Sequence, residues 1–234
     1  MAPKQVWLFD EAANAGPEHL DPEYVRGYDR KAGFDPSIDV ASLGHHGLGA
    51  DSTVIDLGCG TGEFAIAAAL AGARVIAVDV SEPMLREVGA KVVESSLSNV
   101  DIVHAGFLTY RHSGPKADFV YTRNALHHLP DFWKAMALDR MGNFLRPGGV
   151  LLLRDLVYSF EPRDADSVMN VWFERASTSS DVGWTRDELE THVRIEYSTF
   201  SWLLEPMLTR SGFTVEDVQY SDSRTYATYI CVKT

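Results

Sequence analysis

Nine residues constrain this chain more than any others: Val54-Ile55-Asp56-Leu57-Gly58-Cys59-Gly60-Thr61-Gly62. A short apolar run ends in an acid and breaks into alternating glycines, and Glu63 to Leu70 then reads as a helix. Strand, tight glycine turn and helix in that order make a nucleotide-binding loop of an α/β sheet. Glycine serves where φ must be positive, or where a ligand must approach the backbone with no Cβ in the way. The helix that follows offers unpaired N–H groups and partial positive charge to an anionic group of the ligand.

The alternation continues down the chain. The first strand is read as Thr53 to Leu57, and Arg74 to Asp79 is a second apolar run ending in an acid. Ser81 caps the next helix, with Glu82-Pro83 in its first turn and Met84, Leu85, Val88 and Val92 on its inner side. A third strand runs Val100 to Ala105 and ends at Gly106-Phe107; a fourth covers Asp118 to Tyr121. Asp131 is expected to cap a helix reaching about Leu145, stopped by Arg146-Pro147-Gly148-Gly149, with Val150 to Val157 as the fifth strand. Residues 159–197 interrupt the pattern with a helix around Asp166–Ala176, a polar loop from Ser177 to Gly183, and a capping box at Thr185-Arg186-Asp187-Glu188. This insertion is read either as a substrate cover or as a surface excursion. Phe200, Leu203, Leu204, Met207 and Leu208 fall on one helix face, and Phe213–Tyr220 and Thr225–Val232 close the chain as a hairpin turning at Ser221-Asp222-Ser223. Ahead of the sheet, residues 1–50 read as an N-terminal helical cap. A helix starts at Asp21-Pro22-Glu23, Tyr24 and Tyr28 share a face, and a further helical piece follows Pro36. Such a preface covers the mouth of a site or simply packs on the sheet.

Size and charge limit the function classes. A chain of 234 residues can bury one sizeable core as a single domain. With 33 acids against 21 bases the net charge is −12, which argues against broad binding to nucleic-acid phosphates. The two cysteines, Cys59 and Cys231, make neither a disulfide framework nor a metal cluster, and no partner base stands near Cys59 to make it a nucleophile. No His/Cys/Asp spacing suggests a metal site. The first ten residues lack the apolar core of a signal peptide, and the most apolar long stretch, Phe64 to Val78, is broken by Gly72 and Arg74. No membrane span is expected, and a cytoplasmic protein is the default.

Four motifs in order resemble the class I S-adenosylmethionine-dependent methyltransferases over nearly all of residues 50–234. They are the loop from Val54 to Gly62, the acid Asp79 in Val78-Asp79-Val80-Ser81, the element Asn124-Ala125-Leu126-His127-His128-Leu129-Pro130, and the turn Leu145-Arg146-Pro147-Gly148-Gly149. The Leu-His-His-Leu-Pro form is similar to the small-molecule branch, such as quinone-biosynthesis enzymes. The resemblance implies a Rossmann-like, doubly wound α/β fold: a seven-stranded mixed sheet in the order 3-2-1-4-5-7-6, strand 7 antiparallel, with helices on both faces. It implies residues 51–234 as the methyltransferase domain, S-adenosylmethionine as cofactor, a small-molecule substrate, and methyl transfer by in-line displacement. It also implies a cofactor site drawn from Asp56, Gly58, Gly60, Asp79, Val80, Met84, Gly106, Phe107, Arg123 and Asn124.

The residues permit rival readings. Asp79 stands at the end of the second strand, where a carboxylate accepts both ribose hydroxyls; a dinucleotide site shares that logic. Its fingerprint, however, wants a third glycine where this chain has Glu63, whose charge would face a pyrophosphate. Gly106-Phe107 departs from the family, many members of which carry an acid there for the adenine amino group. Phe107 packs on the adenine, with Met84 as the opposite wall, or both are core. His127 and His128 are the candidates for general base, or they are structural. Arg123 and Asn124 sit at the carboxyl end of the fourth strand, where open α/β sheets bind ligands. Arg154-Asp155 either reaches the same crevice or forms a buried ion pair. His192, Arg194, Glu196 and Tyr197 are substrate-facing or a solvated helix face. A non-catalytic protein that binds the donor as a sensor or partner subunit would carry the same donor motifs.

Overall fold

The computed structural model describes residues 7–180 and 182–234. Residues 1–6 of the expected cap and Asp181 of the polar loop lie outside the described residues.

Short helices α1 (Pro22–Arg26), α2 (Tyr28–Ala32) and α3 (Ser37–Gly44) precede the sheet. The helix expected from Pro22 is two pieces, because the chain breaks at Gly27, yet Tyr24 and Tyr28 still lie side by side with ring centroids 6.3 Å apart. Then follow β1 (Thr53–Leu57), α4 (Glu63–Leu70), β2 (Arg74–Asp79), α5 (Glu82–Glu94), β3 (Val100–His104), β4 (Ala117–Arg123), α6 (Asp131–Phe144) and β5 (Leu145–Asp155). The insertion is framed by β6 (Val157–Tyr158) and β7 (Thr199–Phe200) and contains α7 (Ala165–Ala176) and α8 (Arg186–Ile195). The chain ends with α9 (Ser201–Arg210), β8 (Phe213–Tyr220) and β9 (Ala227–Lys233).

The main sheet has seven strands in the order β3-β2-β1-β4-β5-β9-β8, which is 3-2-1-4-5-7-6 when its strands are counted along the chain. Strand β9 runs antiparallel to both neighbours and the other pairings are parallel. Alternate residues of the central strands feed two apolar layers. Ile55, Val120, Leu151 and Leu153 face Leu138 and Met141 of α6 and Leu208 of α9. Val54, Phe119 and Leu152 face Leu43 of α3, Phe64 and Ala68 of α4, and Val88 of α5. Strands covered on both faces need near-continuous apolar runs, which Val54–Ile55 and Val150–Leu153 supply.

Several boundaries differ from the sequence reading for local reasons. Strand β5 begins at Leu145, not Val150, because Leu145 pairs with Ala117 before Arg146–Gly149 bulge out of register; Arg146 Nε there donates to Asp118 Oδ1 at 2.7 Å. Pro130 occupies the N-cap of α6, and Asp131, its first residue, instead accepts from Lys134 Nζ at 2.8 Å. Phe200 belongs to β7 and caps α9, so only Leu204 and Leu208 of the expected face are fully buried. The closing hairpin turns over a longer loop, so β9 starts at Ala227. The capping box at Thr185 and Glu188 is present in both directions.

Candidate active site

The carboxyl ends of β1, β2 and β4 open into a cavity of about 290 Å³, near the lower end of the ~300–1,000 Å³ range of small-molecule sites. Its floor is the glycine loop. Gly58 has φ +70°, and a Cβ there would overlap Ala125, so the turn needs glycine. Gly60 has φ +53° with nothing within 4 Å of a Cβ position, so its backbone is open to a ligand.

Two acids face this space. Asp79 Oδ2 accepts from the Gly60 N–H and Oδ1 from the Ser81 N–H, each at 2.8 Å. Each oxygen keeps a further lone pair. Burial raises the Asp79 carboxyl above its ordinary value, against the lowering effect of those backbone donors. Asp56 is 1 % exposed, and both of its carboxylate oxygens are buried without a hydrogen-bond partner. Burial, and then the charge of Asp79, push its carboxyl well above the ordinary range. A buried acid with no donor is expensive unless a bound group supplies one.

Of the residues marked in the sequence, Asp56, Gly58, Gly60, Asp79, Val80, Met84, Gly106, Phe107, Arg123, Asn124 and His128 line this cavity. Met84 sits in the first turn of α5, positioned by the Ser81 cap at 3.2 Å. Phe107 lines the cavity and also belongs to the core. Arg123 is held by Asp39 at 3.0 Å and lies over the Phe34 ring, while Asn124 adopts φ +49° and donates its N–H to the Arg154 carbonyl at 2.8 Å.

His127 does not reach the cavity. Its Nδ1 is bonded to Asp155, and its Nε2 lies 3.0 Å from Glu196 Oε2. Burial would lower its pKa, but the charges of Asp155 and Glu196 prevail and raise it to about 9. Burial and the neighbouring His127 push His128 the other way, to about 3. The pair therefore divides: His127 is locked behind the wall, and neutral His128 forms part of the wall. Arg154 and Asp155 also part company, Arg154 turning to Asn124 and the Tyr226 ring, Asp155 to His127. In the insertion, His192 and Glu196 turn inward to His127, Arg194 bonds Thr191, and the Tyr197 N–H donates to the His127 carbonyl at 2.9 Å. None of these four lines the cavity.

The sequence reads the preface and the insertion as possible covers, but marks none of the residues that form the roof of the site. Glu11, Ala15, His19, Tyr28 and Asp29 from the preface, and Trp184 from the insertion, complete the cavity wall. Glu11 matters most. Its Oε2 accepts from the Leu108 N–H at 3.1 Å and from the Thr109 hydroxyl at 3.4 Å, while Oε1 is buried without a partner. A Cβ on Gly106 would stand 2.5 Å from Glu11 Oε2, so the Glu11 carboxyl fills the place that a side chain at 106 would take. The one signal of this in the sequence was the glycine itself, standing where the family resemblance leads one to expect an acid. The two parts of the roof are joined by Lys31, whose Nζ lies 2.5 Å from Glu188 Oε1 of α8 and over the rings of Tyr24 and Trp184. Glu63, whose charge weighed against a pyrophosphate, is paired with Lys91.

No helix among the described residues is long and apolar enough to cross a membrane. Comparison with known proteins identifies the lineage. Residues 54–149 match a family described as a methyltransferase domain. The chain is 30% identical over 155 residues to an uncharacterized methyltransferase of Mycobacterium bovis, an alignment covering 60% of this chain and 75% of that protein. It is 28% identical over 181 residues to 27-O-demethylrifamycin SV methyltransferase of Amycolatopsis mediterranei, covering 75% of this chain but only 60% of the relative's length. The fold matches magnesium protoporphyrin IX methyltransferase of Synechocystis with bound S-adenosylmethionine, at TM-score 0.67 and 16% identity over 97% of this chain and 99% of that one. The unpaired Asp56 carboxylate, the Asp79 carboxylate at the end of β2 and the open glycine loop fit that donor. The chain belongs to the class I S-adenosylmethionine-dependent methyltransferases, with S-adenosylmethionine as its cofactor.

Proposed function

We propose that this protein methylates a small organic acceptor seated between the donor end of the cavity and the wall formed by His128, Trp184 and Tyr226. The observation that carries the reading is Asp56: a buried acid with two unpaired oxygens calls for a cationic group, and the ammonium of the donor supplies one. In this reading Asp79 uses its remaining lone pairs for the ribose hydroxyls, and Gly58 and Gly60 let the backbone close on the methionine part. Val80, Met84 and Phe107 bound the adenine, and Glu11 Oε1 accepts its amino group. Arg123 and Asn124 shape the rim.

The bound cofactor supplies a methyl group already activated by a positively charged sulfur. The protein's own work is then to align the acceptor and to exclude water, which the roof from the preface and the insertion does. His128 is neutral at working pH, so it can accept a hydrogen bond from an acceptor hydroxyl, and His127 holds it in place from behind. The rifamycin relative is named for a small-molecule acceptor, which supports the same class here. The acidic surface disfavours nucleic acid, and the two free thiols suit a cytoplasmic setting.

The test has two arms. Melting with S-adenosylmethionine, its demethylated product and NAD should show stabilisation by the first two only, about 2.7 kcal/mol at 100 times Kd, or roughly 5–10 °C at this size. Single-turnover transfer of a labelled methyl group to a pool of small metabolites should then give labelled product. Donor binding without any transfer would replace the catalytic reading with a sensor or partner subunit. Absence of donor binding would sink both.

A further inference from the structure

His192 and Glu196 stand four residues apart at the end of α8, so their side chains project to one side. That side meets the element after β4, where the Tyr197 N–H bonded to the His127 carbonyl sets the register. Three donor atoms converge there: His127 Nε2, His192 Nδ1 and a Glu196 carboxylate oxygen all lie within 4.8 Å of one another. Glu196 Oε2 is 3.0 Å from His127 Nε2 and 2.6 Å from His192 Nδ1. Neither contact has hydrogen-bond alignment, however, and Oε2 is buried without a hydrogen-bond partner.

The second nitrogen of each ring is already held from outside. His127 Nδ1 is bonded to buried Asp155, and His192 Nε2 lies 2.8 Å from Ser198 Oγ. Fixing one ring nitrogen with a carboxylate or hydroxyl while the other points to a common centre is how metal-binding imidazoles are oriented. A further nitrogen, His128 Nδ1, is buried without a partner and stands 3.9 Å from Glu196 Oε2.

We propose that His127, His192 and Glu196 bind one divalent first-row transition-metal ion, with zinc as the reference case. Two imidazoles and one carboxylate suit zinc and its neighbours, whereas magnesium and calcium want oxygen donors. Ligands about 2.0–2.2 Å from a tetrahedral ion stand roughly 3.3 Å from one another. To admit one, the Glu196 oxygen moves back about 0.3 Å from His127 Nε2 and about 0.7 Å from His192 Nδ1, while the two ring nitrogens stay within their 4.8 Å limit or close toward the ion. The ion does not enter the donor cavity, because none of its three ligands lines it. It ties the end of the insertion to the sheet directly behind His128, and so fixes that wall of the acceptor site. The distance in sequence between His127 and His192 explains why spacing alone suggested no metal.

Tag-free protein is stripped with chelator and titrated with zinc against a chromophoric competitor, and cobalt(II) loading is followed by visible absorption. One ion per chain is expected, with the d–d bands of a four- or five-coordinate nitrogen/oxygen site and a raised melting temperature. His192→Ala and Glu196→Gln should each weaken zinc binding at least 100-fold. Ser198→Ala, which removes no ligand, should weaken it about 10-fold or more, as outer partners do. It also serves as the test if the ligand variants do not fold. The exposed pair His45 and His46 is the control for surface capture. Failure to bind zinc, a six-coordinate cobalt spectrum, unchanged affinity in all three variants, or loss of binding on replacing His45 and His46 would each overturn the proposal.

Discussion

Replacing Glu11 with alanine empties the space that a side chain at residue 106 would occupy. Two donors, the Leu108 N–H and the Thr109 hydroxyl, lose their acceptor. Unpaired buried donors cost about 1–3 kcal/mol, so the melting temperature should fall by roughly 2–10 °C. In the proposed reading the adenine amino group loses its partner as well. A hydrogen bond to an acid is worth about 1.5–3 kcal/mol, so Kd for S-adenosylhomocysteine should rise roughly 10- to 150-fold. The geometry also forecasts the reverse exchange. Gly106→Asp alone overfills the site, since a Cβ there stands 2.5 Å from Glu11 Oε2. Combined with Glu11→Ala, it restores an acid to the same place and should recover most of the affinity. Calorimetry with S-adenosylhomocysteine and with its inosine counterpart, which carries an oxygen in place of the amino group, separates the two effects. Glu11→Ala should weaken the first ligand and leave the second nearly unchanged. Equal losses for both, or none for the first, would refute the assignment.

Further expectations follow from the same site. Asp79→Ala should raise donor Kd at least 100-fold by calorimetry, while Asp79→Asn, which still accepts from the Gly60 or Ser81 N–H, should lose less. Donor binding should release a proton. Burial keeps the Asp56 carboxyl raised in the free protein and the ammonium lowers it in the complex, so affinity climbs with pH until free Asp56 is ionised and then levels off. Calorimetry in buffers of different ionisation heat should reveal that proton, and identical heats would dismiss it. In metal-free protein, His127→Ala leaves Asp155 and Glu196 without their shared partner, and melting should report a loss of about 3–5 kcal/mol. His128→Ala should instead slow methyl transfer with little change in melting or in donor Kd. Lys31→Ala removes a partly exposed ion pair worth under ~1 kcal/mol, yet stopped-flow release of the donor should quicken because the pair joins the two parts of the roof.

What could be read from the sequence was local. The turn at Gly58 and Gly60, the acid ending β2 and the cap at Ser81 each depend on neighbours within a few residues, whereas the strand order came only through the family resemblance that these motifs carry. What escaped depends on distant partners. Glu11 meets Leu108 across 97 residues of chain, and nothing near Glu11 signals where its carboxyl will go. The two histidines of Leu126-His127-His128-Leu129 look equivalent in sequence. They separate only because Asp155 and Glu196 arrive from other elements to claim His127. The early start of β5 escaped for a related reason: Leu145 pairs with Ala117 ahead of a bulge, and pairing across strands is invisible to a glycine-proline stop signal.

The short parallel pairing of β6 with β7 sets Val157 beside Thr199 and Tyr158 beside Phe200, so the insertion leaves and rejoins the domain at one place. Its helices carry a small core of their own, built on Trp172, Phe173 and Leu189 with Leu156. Anchored at adjacent posts and carrying this small core, the segment can change length and shape while the glycine loop, Asp56 and Asp79 keep their positions. The architecture therefore behaves as a socket with an exchangeable face. A graft between Tyr158 and Thr199 should redirect the choice of acceptor while the machinery that grips the donor stays as it is.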